Sequence, residues 1–268
     1  MTLLSVEDLV VEYGSFRAVD KVSLSVAAGR TLAVVGESGS GKSTIAAAIV
    51  RLVRPAAGRI LLDGTDIATM PEKRLRPLRH KVQMIFQDPY GSLDPHLTAR
   101  EIVAEPLRLR GKDRVAQSRE AAGLLERVGL ATSALDRRPA EFSGGQRQRI
   151  GIARALASEP ELLVCDEATS ALDVSVQAQV LELLREIQRD TGVAYLFISH
   201  NLGVVRELSD EVMVLKDGRV VESGPTDRVL AAPAQAYTRA LRRAALDPAT
   251  MTGRKPRVLV AASTEGDR

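Results

Sequence analysis

Residues 36–43 have the residue types and spacing of a loop that binds phosphate groups. They read Gly-Glu-Ser-Gly-Ser-Gly-Lys-Ser and fit the pattern G-x-x-x-x-G-K-[ST]. Glycines let the backbone curl so that successive N–H groups point at phosphate oxygens. Lys42 is expected to reach the β and γ phosphates of a nucleotide, and the Ser43 hydroxyl to coordinate Mg²⁺. An apolar strand before the segment and a helix after it favour this interpretation over a glycine-rich turn that matches by chance.

A second group of chemically active residues is the pair Asp166 and Glu167, which follows an apolar stretch at 162–165. A parallel strand that is buried on both faces has such a continuous apolar sequence, and ligands bind at the carboxyl ends of these strands. We interpret Asp166 as a Mg²⁺ ligand that acts through water, and Glu167 as the base that orients and deprotonates an attacking water. Taken alone, an Asp-Glu pair after a strand is more often a helix cap.

The elements that must position these residues are short β-rich segments that alternate with helical ones. This alternation predicts an α/β fold, a P-loop NTPase core with a mostly parallel sheet and an antiparallel β portion at the N-terminus. We predict a helical subdomain at 88–157 inserted in a nucleotide-binding core at 1–87 and 158–225, a helical extension at 226–245 and a disordered tail at 246–268. The predicted strands are 4–13, 21–26, 31–35, 58–62, 82–86, 162–165, 193–198 and 211–215. The predicted helices are 42–52, 100–109, 114–128 and 146–157.

The composition of the chain is that of an ordinary globular protein. Its 268 residues are 45% hydrophobic and 26% charged, and 37 basic residues against 34 acidic ones favour a mixed-charge surface over a nucleic-acid-binding patch. The apolar runs are far shorter than the ~20 residues that span a bilayer. The first ten residues lack the basic start of a secretory signal. A single cysteine, Cys165, excludes internal disulfides and multi-cysteine metal sites.

The segment 143–149, Ser-Gly-Gly-Gln-Arg-Gln-Arg, has a structural reading of its own. Ser143 and Gln146 fit a capping box that opens a helix, and the free N–H groups at such a helix start bind anions. Together with the phosphate loop and the Asp-Glu pair, the segment resembles the signature of ATP-binding-cassette (ABC) ATPases. In that family the signature of one subunit covers the γ-phosphate held by the phosphate loop of the other, so that two cassettes enclose two ATP molecules.

The resemblance covers roughly residues 3–241 and includes further motifs. Gln87 is similar to the glutamine that contacts Mg²⁺ and the attacking water, His200 to the switch histidine at the γ-phosphate, and residues 170–173 to the loop that crosses the dimer interface. Tyr13 lies where the family stacks an aromatic ring on adenine, although a strand tyrosine is also commonly half-buried in a core. Without this context, Gln87 is read as a surface glutamine and His200 as a structural histidine.

The resemblance therefore implies a set of site residues. ATP contacts are expected from Tyr13, Gly36, Glu37, Ser38, Gly39, Ser40, Gly41, Lys42, Ser43 and Thr44, and in trans from Ser143, Gly144, Gly145 and Gln146. Catalytic roles are expected for Glu167, His200, Gln87 and Lys42. Contacts with Mg²⁺ are expected from Ser43, Gln87 and Asp166. Since no catalytic element is degenerate, the chain is expected to hydrolyse ATP.

Within the family, residues 86–95 resemble the oligopeptide, dipeptide and nickel permease group, and residues 235–241 are similar to a C-terminal motif of that group. The sequence departs from the group in two places. A His-Pro pair is usual where Gln235 and Ala236 stand, and many members carry a cysteine-containing tail that this sequence lacks. The group implies an importer of peptides or of a related solute such as nickel.

These expectations place the chain on the cytoplasmic face of the inner membrane. Its implied partners are permease subunits, a second ABC ATPase in a homodimer or a heterodimer and, indirectly, an extracytoplasmic solute-binding protein. The alternative is a soluble ABC ATPase of translation or DNA repair. Translation types usually join two cassettes in one chain, and repair types insert coiled coils or zinc motifs. A P-loop kinase is a third reading, and it leaves residues 143–149 and His200 without a role.

Overall fold

A computed structural model describes residues 1–170 and 172–246 of the chain. The strands form two sheets, a four-stranded one in the order β2-β1-β4-β5 and a six-stranded one in the order β10-β9-β3-β8-β7-β6. The strands are β1 Thr2–Tyr13, β2 Phe16–Ala27, β3 Thr31–Val35, β4 Ala57–Leu62, β5 Thr65–Asp66, β6 Val82–Ile85, β7 Leu162–Asp166, β8 Ala194–Ile198, β9 Glu211–Lys216 and β10 Arg219–Pro225.

The six-stranded sheet brings the ends of four distant segments together. Strands β3, β8, β7 and β6 are mutually parallel, and β3, β7 and β8 are buried along their whole length, as their continuous apolar sequences predict. In the register, Ile198 lies beside both Val34 and Asp166. We call the edge formed by the carboxyl ends of these four strands the site edge. The residues that follow each strand must meet there.

The N-terminal sheet is antiparallel, which confirms the sequence prediction. Strand β1 pairs with β2 on one side and with β4 on the other, in both cases antiparallel. One apolar cluster joins this sheet to the parallel sheet and includes Val6, Val22, Val34 and Ile198. The antiparallel portion is therefore packed directly against the strands that lead to the site edge.

The helices cover both the sheet and the region between β6 and β7. Helices α3 to α6 lie in that region, and α4, α5 and α6 share one apolar cluster with α7 and with β7 and β8. None of the helices in the described part of the chain combines the length and apolar composition that crossing a bilayer requires. The helices are α1 Lys42–Ile49, α2 Glu72–Leu75, α3 Pro89–Ser92, α4 Ala99–Leu109, α5 Arg114–Arg127, α6 Gly144–Leu156, α7 Val174–Thr191, α8 Leu202–Leu208, α9 Thr226–Ala231 and α10 Ala236–Leu246.

Several element boundaries differ from the sequence prediction. Strand β2 begins at Phe16 and not at residue 21, because Arg17 and Asp20 form an ion pair with each other and do not interrupt the strand. Helix α1 ends at Ile49 and not at residue 52, since Arg51 has a left-handed backbone with φ +57° and donates to the carbonyl of Ile67. Strand β10 was not predicted, because few of its residues are apolar. The predicted disordered tail lies almost entirely outside the described residues, and the proposed division of the chain into subdomains stays a prediction.

Candidate active site

The phosphate loop leaves β3 at Gly36 and ends at the start of α1. Glycine is required at both ends of the loop by close backbone contacts. A Cβ on Gly36 would lie 2.2 Å from the carbonyl oxygen of Leu215. A Cβ on Gly41, whose φ is +102°, would lie 2.5 Å from the carbonyl oxygen of Ala18. The loop therefore packs against β9 at Gly36 and against β2 at Gly41. The turn between these two contacts consists of Glu37, Ser38, Gly39 and Ser40.

Lys42 lies inside this loop and is only 5% exposed. Its Nζ donates hydrogen bonds to the carbonyl oxygens of Gly36, at 3.0 Å, and Glu37, at 2.7 Å. Burial lowers the pKa of the Lys42 ammonium, while the carboxylates of Glu167 and Asp166 act in the opposite direction. A buried cation at the centre of a ring of backbone groups is suited to bind the charged oxygens of a phosphate chain.

Ser43 and Asp166 meet at the site edge although 123 residues separate them in sequence. The Ser43 hydroxyl donates to Asp166 Oδ1 at 2.9 Å. Burial raises the pKa of the Asp166 carboxyl, and the nearby charge of Glu167 adds to this, while the bond from Ser43 opposes it. A hydroxyl and a buried carboxylate supply the oxygen ligands that Mg²⁺ prefers, so this pair fits a magnesium ion. A bound cation would also stabilise the charged form of Asp166.

Glu167 lies one residue beyond β7 and has a left-handed backbone, with φ +46°. Non-glycine residues rarely adopt this conformation, and they are concentrated at functional sites. Its backbone N–H donates to the carbonyl of Ile198 at 3.0 Å, which ties the turn to β8. Its carboxylate accepts from Gln87 Nε2 at 2.9 Å, and its second oxygen lies 3.3 Å from His200 Nδ1. Two separate segments, those of Gln87 and His200, therefore hold the Glu167 carboxylate at the site edge.

Tyr13 lies at the tip of the hairpin formed by β1 and β2 and is 50% exposed. It pairs in register with Phe16, which is 64% exposed. Neither side chain belongs to the apolar core, which argues against the alternative interpretation of Tyr13 as a core residue. Since β2 also supplies the Ala18 carbonyl that borders the phosphate loop, the two exposed rings lie on the hairpin adjoining that loop.

The segment 143–146 forms the start of α6, as the sequence predicts. Ser143 accepts from the N–H of Gln146, and the Gln146 side chain accepts from the N–H of Ser143, which completes the capping box. A Cβ on Gly145 would lie 2.3 Å from Val176 Cγ1, so a larger residue there would force the Val176 side chain of α7 to shift. Among the described residues, no hydrogen bond joins this turn to residues 36–44.

Residues 88–95 link the site edge to the same helix. Tyr90 is 62% exposed, and the guanidinium of Arg147 lies 4.6 Å from its ring centroid. Arg154 Nη1 donates to the carbonyl of Ser92 at 2.6 Å. Tyr90 thus contacts the helical region on one side and presents most of its ring to the surroundings.

Comparison with known proteins agrees with this geometry. The family model described as ABC transporter matches residues 19–170, from the second strand to the turn after Glu167. The chain belongs to the ABC transporter family. A probable peptide ABC transporter ATP-binding protein from Sinorhizobium fredii is 50% identical over an alignment of 258 residues that covers 92% of this chain and 73% of that protein. A putative peptide import ATP-binding protein from Brucella ovis is 46% identical, and the alignment covers 92% of this chain and 79% of that protein.

Solved structures of ABC cassettes have the same fold. One, a dimeric ATP-binding cassette in a post-hydrolysis state with ADP and Pi, matches with a TM-score of 0.76 and 28% identity, over 83% of this chain and 98% of that chain. The expected fold class and family are therefore confirmed, and the chain is an ABC ATPase. The assignment of its phosphate loop and Asp-Glu pair, and of the signature turn at 143–146, to nucleotide binding stays a prediction.

Within this ABC cassette, the structure brings most of the residues predicted to be catalytic close together. Lys42, Ser43, Asp166, Glu167 and the two distant side chains that hold Glu167 meet at the site edge. Tyr13, on the hairpin of β1 and β2, and the signature turn at 143–146 are not part of that cluster.

Sequence reasoning missed two residues that contact the site. Ser170 Oγ donates to the carbonyl of Glu167 at 3.0 Å, and it lies in the motif quoted for the dimer interface. Tyr237 Oη accepts from the N–H of Glu37 at 3.3 Å, and it lies in the C-terminal motif whose role the sequence leaves open.

Proposed function

We propose that this chain is the ATP-hydrolysing subunit of an importer and that it couples ATP hydrolysis in a cassette dimer to uptake of peptides. The observation that carries the proposal is the Glu167 carboxylate, held by Gln87 and His200 beside the Ser43–Asp166 pair and the phosphate loop. A base, a cation site and a phosphate cradle are the parts that ATP hydrolysis requires. The peptide import names of the Sinorhizobium and Brucella relatives support the choice of cargo.

In the proposed reaction the N–H groups of the loop and Lys42 bind the phosphates of ATP. Glu167 accepts a proton from a water whose oxygen forms the new bond to the γ-phosphorus, while the bond from that phosphorus to the bridging oxygen breaks and ADP leaves. Gln87 and His200 orient the carboxylate of Glu167, so that little reorganisation is needed during the reaction. Magnesium, held by Ser43 and Asp166 with a contact from Gln87, would supply positive charge that offsets the charge on the phosphates.

A second cassette completes the proposed site. The start of α6 offers unpaired N–H groups and two glycines that permit close approach of a phosphate, yet within one chain this turn makes no hydrogen bond to the described loop residues. In the dimer that we propose, Ser143, Gly144, Gly145 and Gln146 of one cassette contact the ATP held by the other. Tyr13 would stack on the adenine ring of its own chain.

For transport, the cassette pair would bind permease subunits at the cytoplasmic face of the inner membrane, and an extracytoplasmic binding protein would deliver the cargo. The test is affinity purification of the full chain from its native membranes, followed by reconstitution of the recovered complex in vesicles. Accumulation of a labelled oligopeptide upon addition of ATP is the expected result. Accumulation of nickel alone would reassign the cargo. Recovery with ribosomal or DNA-repair proteins and no membrane protein would favour the soluble alternative.

Tyr90→Ala and Asp94→Arg are expected to reduce peptide uptake on the order of tenfold while basal ATPase activity of the isolated subunit stays nearly unchanged. Tyr90 lies in the short helix α3 and Asp94 just after it, both side chains are exposed, and an exposed aromatic ring there is suited to anchor a permease segment. Uptake in reconstituted vesicles and ATPase activity of the subunit are measured on the same preparations.

Tyr90→Phe is the matched control, because it keeps the ring against Arg147 and removes only the hydroxyl. It should retain most of the uptake. An equal loss of uptake and ATPase activity in Tyr90→Ala would indicate misfolding. Unchanged uptake in both substituted proteins would show that the permease binds elsewhere.

A further inference from the structure

Helix α10 contacts the phosphate loop from the C-terminal end of the described chain. Tyr237 Oη accepts a hydrogen bond from the backbone N–H of Glu37 at 3.3 Å, across 200 residues of sequence. The family match ends at residue 170, so neither this helix nor its tyrosine belongs to the matched domain. The contact therefore calls for an explanation beyond the catalytic cluster described above.

The position of Tyr237 is set by several independent contacts. The carboxylate of Glu222 accepts from the N–H groups of Ala234 and Gln235, at 2.8 and 3.1 Å, which fixes the chain just before α10. The Tyr237 ring packs with Leu241 on the apolar cluster that contains Val35, the residue directly before the loop. Lys216 Nζ lies 5.0 Å from the ring centroid. Burial raises the pKa of the Tyr237 hydroxyl, so it remains neutral at physiological pH.

The peptide group between Gly36 and Glu37 is held at both of its polar atoms. Lys42 donates to its carbonyl oxygen at 3.0 Å, and Tyr237 accepts from its N–H. A Lys42 ammonium bound to the phosphates of ATP would hold this carbonyl less strongly, and Tyr237 would then supply more of the restraint on the peptide group. A second support acts further along the loop, where the N–H of Gly218 donates to the carbonyl of Ser40 at 3.0 Å.

We propose that Tyr237 is a positioning residue for the phosphate loop and that α10 thereby sets the affinity of the cassette for ATP. The inference rests on the proposed function, since it assigns a role in binding the same nucleotide. Tyr237 contacts neither substrate nor the reacting atoms in this arrangement. It acts through the backbone of Glu37, which keeps the loop in the shape that receives phosphate.

The test is Tyr237→Phe, which keeps the ring on Lys216 and the apolar cluster and removes the acceptor oxygen. Loss of one hydrogen bond is expected to raise the Kd for Mg-ATP, measured by calorimetry on the full chain, about three- to tenfold. The KM for ATP should rise by a similar factor, while kcat at saturating ATP changes less than about twofold, since bound nucleotide restores the loop. Hydrogen exchange at the Glu37 amide, followed by NMR, should become faster.

Tyr195→Phe is the matched control, because it removes a buried hydroxyl that donates to the carbonyl of Leu184 and makes no contact with the loop. It should lower the melting temperature and leave the Kd for Mg-ATP unchanged. The proposal is overturned if Tyr237→Phe leaves both Glu37 exchange and the Kd at wild-type values, or if Tyr195→Phe weakens binding equally. Failure of the wild-type chain to bind Mg-ATP would instead overturn the proposed function.

Discussion

Glu167→Gln is expected to slow ATP hydrolysis by about 10²–10⁴-fold, the usual cost of removing a general base, while ATP remains bound. The amide has nearly the same shape as the carboxylate and keeps hydrogen-bonding groups for Gln87 and His200. It has no basic oxygen that can take the proton from water. The change thus separates nucleotide binding from chemistry at a position where the structure shows a prearranged carboxylate.

ATP that is not hydrolysed should also keep two cassettes associated, because it would lie between the phosphate loop of one cassette and the signature turn of the other. Gel filtration of Glu167→Gln with Mg-ATP is therefore expected to show a dimer, and phosphate release measures the loss of turnover. Glu161→Gln is the control, since Glu161 is paired with Lys81 at the opposite edge of the sheet. Phosphate release by Glu167→Gln at a rate near that of the wild-type chain would contradict the assignment of Glu167 as the general base. A monomer with unhydrolysed ATP would favour pairing with a related, non-identical cassette.

Lys42→Ala is expected to weaken binding of Mg-ATP by at least about a hundredfold, because each hydrogen bond from a charged donor contributes about 1.5–3 kcal/mol. The ammonium is buried within the loop, where its attraction for phosphate is weakly screened by solvent. Alanine removes both this charge and the bonds to the carbonyls of Gly36 and Glu37. Isothermal calorimetry with Mg-ATP measures the change.

Lys81→Ala is the matched control for this experiment, because it removes a lysine whose partner, Glu161, lies far from the loop. Its affinity for Mg-ATP should equal that of the wild-type chain. A thermal melt of each protein distinguishes loss of the site from loss of the fold. Binding of Mg-ATP by folded Lys42→Ala at wild-type strength would contradict the assigned role of the lysine.

The sequence by itself determined the phosphate loop, the Asp-Glu pair, the capping box of α6 and the α/β fold. These features are local or periodic. A glycine spacing, an apolar strand that ends in carboxylates and a capping pair each depend on a few consecutive residues, and the alternation of strands with helices follows from side-chain patterning. Gln87 and His200 came from the family resemblance, since a lone Gln or His carries no local signal.

The tertiary structure decided the contacts that join distant segments. Parallel pairing of β3, β8, β7 and β6 places the Ser43 hydroxyl on Asp166 and brings the two partners of Glu167 to its carboxylate. Glu167 has a left-handed backbone and an N–H bonded to β8, and the residues near 167 contain no pattern that predicts either feature. The hydrogen bond from the main-chain N–H of Glu37 to Tyr237 joins residues that are 200 positions apart in sequence. Such a bond depends on how α10 packs against the end of β3. A sequence motif does not predict it, because every residue except proline has the same backbone N–H donor.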